Sequence, residues 1–122
     1  MFDHIGFRVR DVAASRKFYL AALAPLGIGV AMEHGGGVGL GRGGKPQMWL
    51  SQGEAPASPL HLAFAARTRG EVDAFYAAAL AAGATDNGAP GLRPHYHPNY
   101  YGAFAIDPDG HNIEAVCHSP EP

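Results

Sequence analysis

The sequence predicts an α+β fold: two βαβββ modules whose strands form a curved mixed sheet around a concave cavity, with the helices outside. Three observations point to it. The chain of 122 residues repeats itself, His4-Ile5-Gly6-Phe7 returning as His61-Leu62-Ala63-Phe64 and Phe18-Tyr19 returning as Phe75-Tyr76, each 57 positions on. Each repeat opens with an alternating apolar strand and then a helix with its own start signal. Seventeen glycines and ten prolines suit short strands separated by turns. One module alone leaves sheet edges open and buries little core, so the expectation is a single domain, residues 1–122, with modules near 1–54 and 59–122.

Residues 2–9 read as a strand with Ile5, Phe7 and Val9 on one face. Asp11 is a good N-cap for a helix over 12–24, ended by Pro25 and Gly27. Its Val12, Ser15, Tyr19, Ala22, Leu23 and Leu26 make one mainly apolar stripe. Strands follow at 28–33, 37–41 and 47–51. In the second half a strand covers 60–66, and Thr68 with Glu71 forms a capping box for a helix over 69–82. A strand near 84–88 comes next, and strands 101–106 and 112–118 flank the turn Asp107-Pro108-Asp109-Gly110. Ahead of the strand at 101–106, the segment 87–99 holds Gly88, Pro90, Gly91, Pro94 and Pro98 and reads as a long functional loop.

Hydrophobic residues make up 47% and charged residues 16%, which excludes disorder. The net charge of -2, without a run of like charges, argues against a nucleic-acid or anionic-membrane surface. Cys117 is the only cysteine, buried by strand parity, so no intrachain disulfide forms. The apolar stretch Phe18 to Met32 is too short to span a bilayer, and the opening residues do not read as a secretory leader. A cytoplasmic homodimer binding a small molecule is expected.

Strand parity also selects the inward-facing residues. With Ile5, Phe7 and Val9 on the helix side, His4, Gly6 and Arg8 face the cavity; by the same rule so do Gln47 and Trp49, His61, and Glu114. His4 pairs with His61 in the repeat, and Gln47 is matched with Glu114. Two imidazoles, an amide oxygen and a carboxylate suit a divalent ion: Zn, Ni, Co, Mn or Fe. A glutamate inside the apolar run Ile113-Glu114-Ala115-Val116 needs a partner, since burying it alone is costly. His111, in the turn before the last strand, is expected in solvent; His34 and His118 have no assigned role.

The opening Asp3-His4-Ile5-Gly6-Phe7-Arg8-Val9, the segment Ser15-Arg16-Lys17-Phe18-Tyr19, and above all Tyr101 to Glu114 with its D-P-D-G turn, resemble the vicinal oxygen chelate superfamily of glyoxalases, bleomycin-resistance proteins and extradiol dioxygenases. The resemblance covers nearly the whole chain. It implies paired βαβββ modules and, for metal-using members, ligands at His4, Gln47, His61 and Glu114. A His/Gln/His/Glu set resembles the lyases and isomerases, which chelate two substrate oxygens and stabilise an enediolate. The alternatives are an extradiol-type Fe(II) dioxygenase, with two His and one Glu, and a non-catalytic binding protein of the bleomycin-resistance kind. Glu114 is the first candidate base; His97 and Tyr101, with Tyr100 and His95 beside them, are candidate acids or bases from the long loop. Arg8, Trp49, Arg93 and His95 are candidate substrate contacts.

Overall fold

The structure of the protein, a computed structural model, describes residues 1–120; Glu121 and Pro122, the end of the expected second module, lie outside the described residues. The first module runs β1 (Ile5–Val9), α1 (Val12–Leu23) with a 3-10 turn at Ala24–Leu26, β2 (Gly29–His34), β3 (Gly37–Gly41) and β4 (Met48–Gln52). The second runs β5 (His61–Ala65), α2 (Arg69–Ala81), β6 (Thr85–Leu92), β7 (Tyr101–Ile106) and β8 (Asn112–Cys117). The strand orders are β1-β4-β3-β2 and β5-β8-β7-β6, so both modules share one topology. In each, the first and last strands pair parallel and the other neighbours antiparallel. The result is two four-stranded mixed sheets, with β1 and β5 both at sheet edges.

Local chemistry sets the helix starts. Asp11 accepts a hydrogen bond from the Ala14 amide at 3.1 Å, and Thr68 accepts one from the Glu71 amide at 3.1 Å. The Glu71 carboxylate reaches back to the Arg67 amide at 2.9 Å, one residue before the cap. Gly27 ends the first helical segment at φ 77°, a left-handed conformation that glycine adopts without a Cβ clash.

The helices pack on each other and on the sheets. Phe18, Tyr19, Ala22 and Leu23 of α1 and Val72, Phe75 and Ala79 of α2 are buried. They meet Val38, Leu40, Met48 and Leu50 from module 1, and Ala103, Ala105, Ile113, Ala115 and Cys117 from module 2. Removing a large apolar side chain from water stabilises the fold by roughly 1.5–3 kcal/mol. Polar bonds also cross between modules. The Tyr19 hydroxyl donates to the buried Asp107 carboxylate, Arg10 Nε donates to Asp109 at 2.7 Å, and Arg42, which also bonds to the Leu26 carbonyl of its own module, donates to the Ala65 carbonyl at 2.7 Å.

Two expectations are corrected. Most of the segment read as a loop over 87–99 is strand: β6 extends to Leu92, and the connection to β7 is only residues 93–100. Pro90 is tolerated because β6 is an edge strand, and register shifts flank Gly88. His111 is buried, not solvated, at 1% exposure. Its Nδ1 accepts the Leu60 amide at 2.9 Å, and its ring meets Phe7 edge-on, so it joins the second module's last turn to the residue before β5 and to β1.

Candidate functional site

The register compares the two modules residue by residue. Gly6 pairs with Trp49 across β1 and β4, and Ala63, 57 positions after Gly6, pairs with Glu114 across β5 and β8. On the third strands, Gly39 lies opposite Trp49 and Phe104 opposite Glu114. Trp49 therefore stands where Glu114 stands. Gln47 is two residues short of it, which corrects the pairing of Gln47 with Glu114. The register signal was hidden because the modules share no residue identity at this point.

Glu114 is the centre of the polar cluster on the concave face. It is 3% exposed, and both carboxylate oxygens are engaged. Oε1 lies 2.8 Å from His61 Nε2, and Oε2 accepts the Tyr100 hydroxyl at 2.5 Å. His61 Nδ1 lies 3.1 Å from the Asn112 carbonyl, which can only accept, so Nδ1 carries a proton. The contact between Nε2 and Oε1 then requires one further proton, shared by the pair. Phe104 stacks on the His61 ring at 6.3 Å between centroids. Burial, and next the bond to Glu114, hold the Tyr100 phenol well above the usual tyrosine range, so it stays a donor. Gly102 makes room: a Cβ there would lie 3.1 Å from the Tyr100 ring and 3.5 Å from Glu114 Oε2.

The other expected site residues lie elsewhere. His4 is exposed, with Nδ1 2.8 Å from Asp3, whose second oxygen accepts Lys45 Nζ at 2.8 Å. The Lys45 bond first, and His4 next, lower the Asp3 carboxyl to about 2. His4 and Gln47 line a cleft of about 290 Å³ floored by Leu23, Ile28 and Leu40. Tyr101 is turned to the helix side, its hydroxyl donating to Asp73 at 2.6 Å under the Arg69 guanidinium, while Tyr100 takes the inward place. This follows from parity: Ala103 and Ala105 pack outward, so Tyr101 does too. Arg93 donates to the carbonyls of Ala89, Gly91 and Gly102 at 2.8, 2.8 and 3.3 Å and lies over Phe104, which commits it to shaping the loop. His95 packs at a tilt against the exposed Tyr96, and His97 Nδ1 accepts the Asn99 amide at 3.0 Å. His118, given no role by sequence reasoning, packs edge-on against both His97 and Tyr100. Trp49 is half-buried, its indole over Gly39, where a Cβ would lie 3.0 Å from the ring.

Residues 1–115 match the family model of the Glyoxalase/Bleomycin resistance protein/Dioxygenase superfamily. The chain belongs to this superfamily. A glyoxalase/bleomycin resistance protein from Albidiferax ferrireducens is 32% identical, with 96% of this chain and 98% of that one covered and a TM-score of 0.81. A glyoxalase/bleomycin resistance protein/dioxygenase family enzyme from Burkholderia phytofirmans shares the fold at 22% identity, 96% and 98% coverage and a TM-score of 0.75. The oxidase ChaP-H1 shares it at 20% identity, 96% and 94% coverage and a TM-score of 0.72. No curated relative matches the sequence. Among the described residues no helix is long and apolar enough to cross a membrane.

Superfamily members usually bind a divalent metal. The residues of one chain test that property. His61 and Glu114 bring a nitrogen and an oxygen together, but among the described residues no three His, Cys, Asp or Glu side chains gather closely enough to hold an ion. His4 and Gln47 line the other cleft, and Trp49 holds the place related to Glu114. The four-donor set is not assembled within one chain.

Proposed function

We propose that the chain is an enzyme of the lyase or isomerase kind that moves a proton on a small oxygenated substrate. The observation that carries this reading is the buried Glu114 carboxylate, held between a histidine and a protonated tyrosine on the concave face. With the shared proton on His61 Nε2, Glu114 is ionised and serves as the base. It takes the proton from a carbon next to a substrate carbonyl, while His61 gives its Nε2 proton to the carbonyl oxygen as charge develops there. The product is an enediol or enol. Return of the two protons, one to the neighbouring carbon and one to His61, completes an isomerisation. Tyr100 holds Glu114 in place by its hydrogen bond.

The test is exchange of solvent deuterium into the C–H bonds beside the carbonyl of hydroxyacetone. Glu114→Gln should slow the exchange by roughly a hundredfold or more. Equal exchange in the variant, or none in the unaltered chain, would sink the reading.

The register favours one second reading. With Trp49 in the place related to Glu114, the remaining set is His4, His61 and Glu114, which resembles that of an extradiol-type dioxygenase. Assembly of that set calls for a second copy, and the edge strands β1 and β5 suit the homodimer expected from the sequence. A solution mass of two chains, with bound iron lost in both His4→Ala and His61→Ala and ring cleavage of catechol in air, would favour this reading over the first. A monomer free of iron would remove it.

A further inference from the structure

An open cleft of about 650 Å³ lies between the edges of β1 and β5. Phe7, Leu60 and Leu62 give it an apolar wall, and Arg8, Glu54 and His61 are its ionisable residues. His61 is the partner of Glu114, so the cleft opens on the cluster described above. Arg8 is unlike the other arginines. Arg10, Arg16 and Arg67 have carboxylate partners, Arg42 and Arg93 bond to carbonyls, and Arg69 covers the Tyr101 ring. Among the described residues Arg8 alone of the arginines has neither hydrogen bond, ion pair nor ring contact. Its stem is nevertheless seated. A Cβ on Gly53 would stand 2.5 Å from Arg8 Cδ and 3.2 Å from Cγ, so the missing side chain is the room in which Arg8 lies.

We propose that this cleft is an anion subsite, in which Arg8 receives the carboxylate of a small substrate whose apolar body lies against Phe7, Leu60 and Leu62 and whose reacting end meets His61. The proposal rests on the reading of Glu114 and His61 as the reacting pair, and names the substrate class: a small oxygenated carboxylate. A planar guanidinium pairs with a carboxylate through two parallel N–H···O bonds, which fixes orientation as well as charge. Glu54 borders the same cleft, so it opposes an anion and limits the subsite to a single negative charge.

The probes are 2-hydroxy-4-methylpentanoate and its neutral amide, with binding followed by ligand-observed NMR. The carboxylate should bind about tenfold tighter than the amide, as one charge-assisted pair at an open site allows. Arg8→Gln should bring the carboxylate to the level of the amide. Gly53→Ala should weaken it with Arg8 still present, and Glu54→Gln should tighten it. Equal binding of the two probes, or no effect of Arg8→Gln, overturns the subsite, as does no binding of the carboxylate at millimolar concentration. Carboxylate binding lost in Arg8→Gln, with no deuterium exchange on hydroxyacetone, would leave the subsite standing and sink the reaction.

Discussion

Trp49 and Glu114 occupy the same place in two copies of one module, yet one is an indole and the other a carboxylate. The surroundings have diverged with them. In module 1, Gly6 and Gly39 lie beside the indole and leave it room. In module 2 the corresponding neighbours are Ala63 and Phe104, and the glycine that makes room is Gly102, under Tyr100. Identical hydrogen-bond topology therefore supports packing in one half and ionisable chemistry in the other. The same holds at the turns before β4 and β8. Gly39 matches Phe104, so Arg42 matches Asp107, three residues on; both bond across to the other module, but with opposite charge.

The largest expected effect lies at those turns. Asp107→Ala should cost about 3 kcal/mol or more, because the buried Tyr19 hydroxyl and the amides of Asp109 and His111 all lose their acceptor. Arg42→Ala removes two bonds to carbonyls from a partly exposed side chain, one of them at an exposed position, and should cost only about 1 kcal/mol. Urea unfolding of both variants checks the order; equal losses would remove the asymmetry. Next comes the exchanged pair itself. Trp49→Ala should lower stability by about 2 kcal/mol, less than for a fully buried indole. Glu114→Gln should move stability less than that and the deuterium exchange far more. A smaller effect is alkaline. Burial first, and next the Asp107 charge, raise the Tyr19 phenol far above its ordinary value, and Tyr100 is raised more weakly. Both contribute stability that is fully present below about pH 10 and falls as the unfolded chain's tyrosines ionise above it. Tyr19→Phe should flatten that decline more than Tyr100→Phe in thermal melts recorded from neutral to strongly alkaline pH. The smallest change expected is Glu71→Gln, a loss of about 0.5 kcal/mol at an exposed cap.

The βαβββ order, both helix caps and the buried Cys117 were legible because strand parity, capping residues and the repeat act locally and agree. The inward aim of His61 and Glu114 was legible for the same reason. Other features depended on contacts distant in sequence. Gln47 and Trp49 share a parity, so alternation alone could not choose between them; only the pairing of Gly6 with Trp49 does. The proline-rich segment read as loop because its local signals are those of a turn, while the strand there is held by β7 and by Arg93 folding back onto its carbonyls. His111 looked like a turn residue in water, and its burial comes from Leu60 and Phe7, one before β5 and the other in β1. Tyr100 in place of Tyr101 is a one-residue matter, and the packed Ala103 and Ala105 carried the signal.

The unlike bridges at Arg42 and Asp107 break the symmetry between the two halves. Two identical half-length chains associating about a two-fold axis would place the same residue at both positions. Such a pair would have two arginines or two aspartates there, and could not make the bond to the Ala65 carbonyl and the bond from the Tyr19 hydroxyl together. One polypeptide that encodes both halves can carry a different bridge in each. The joining of the halves thus lets one module carry a tryptophan at the place where the other carries a carboxylate.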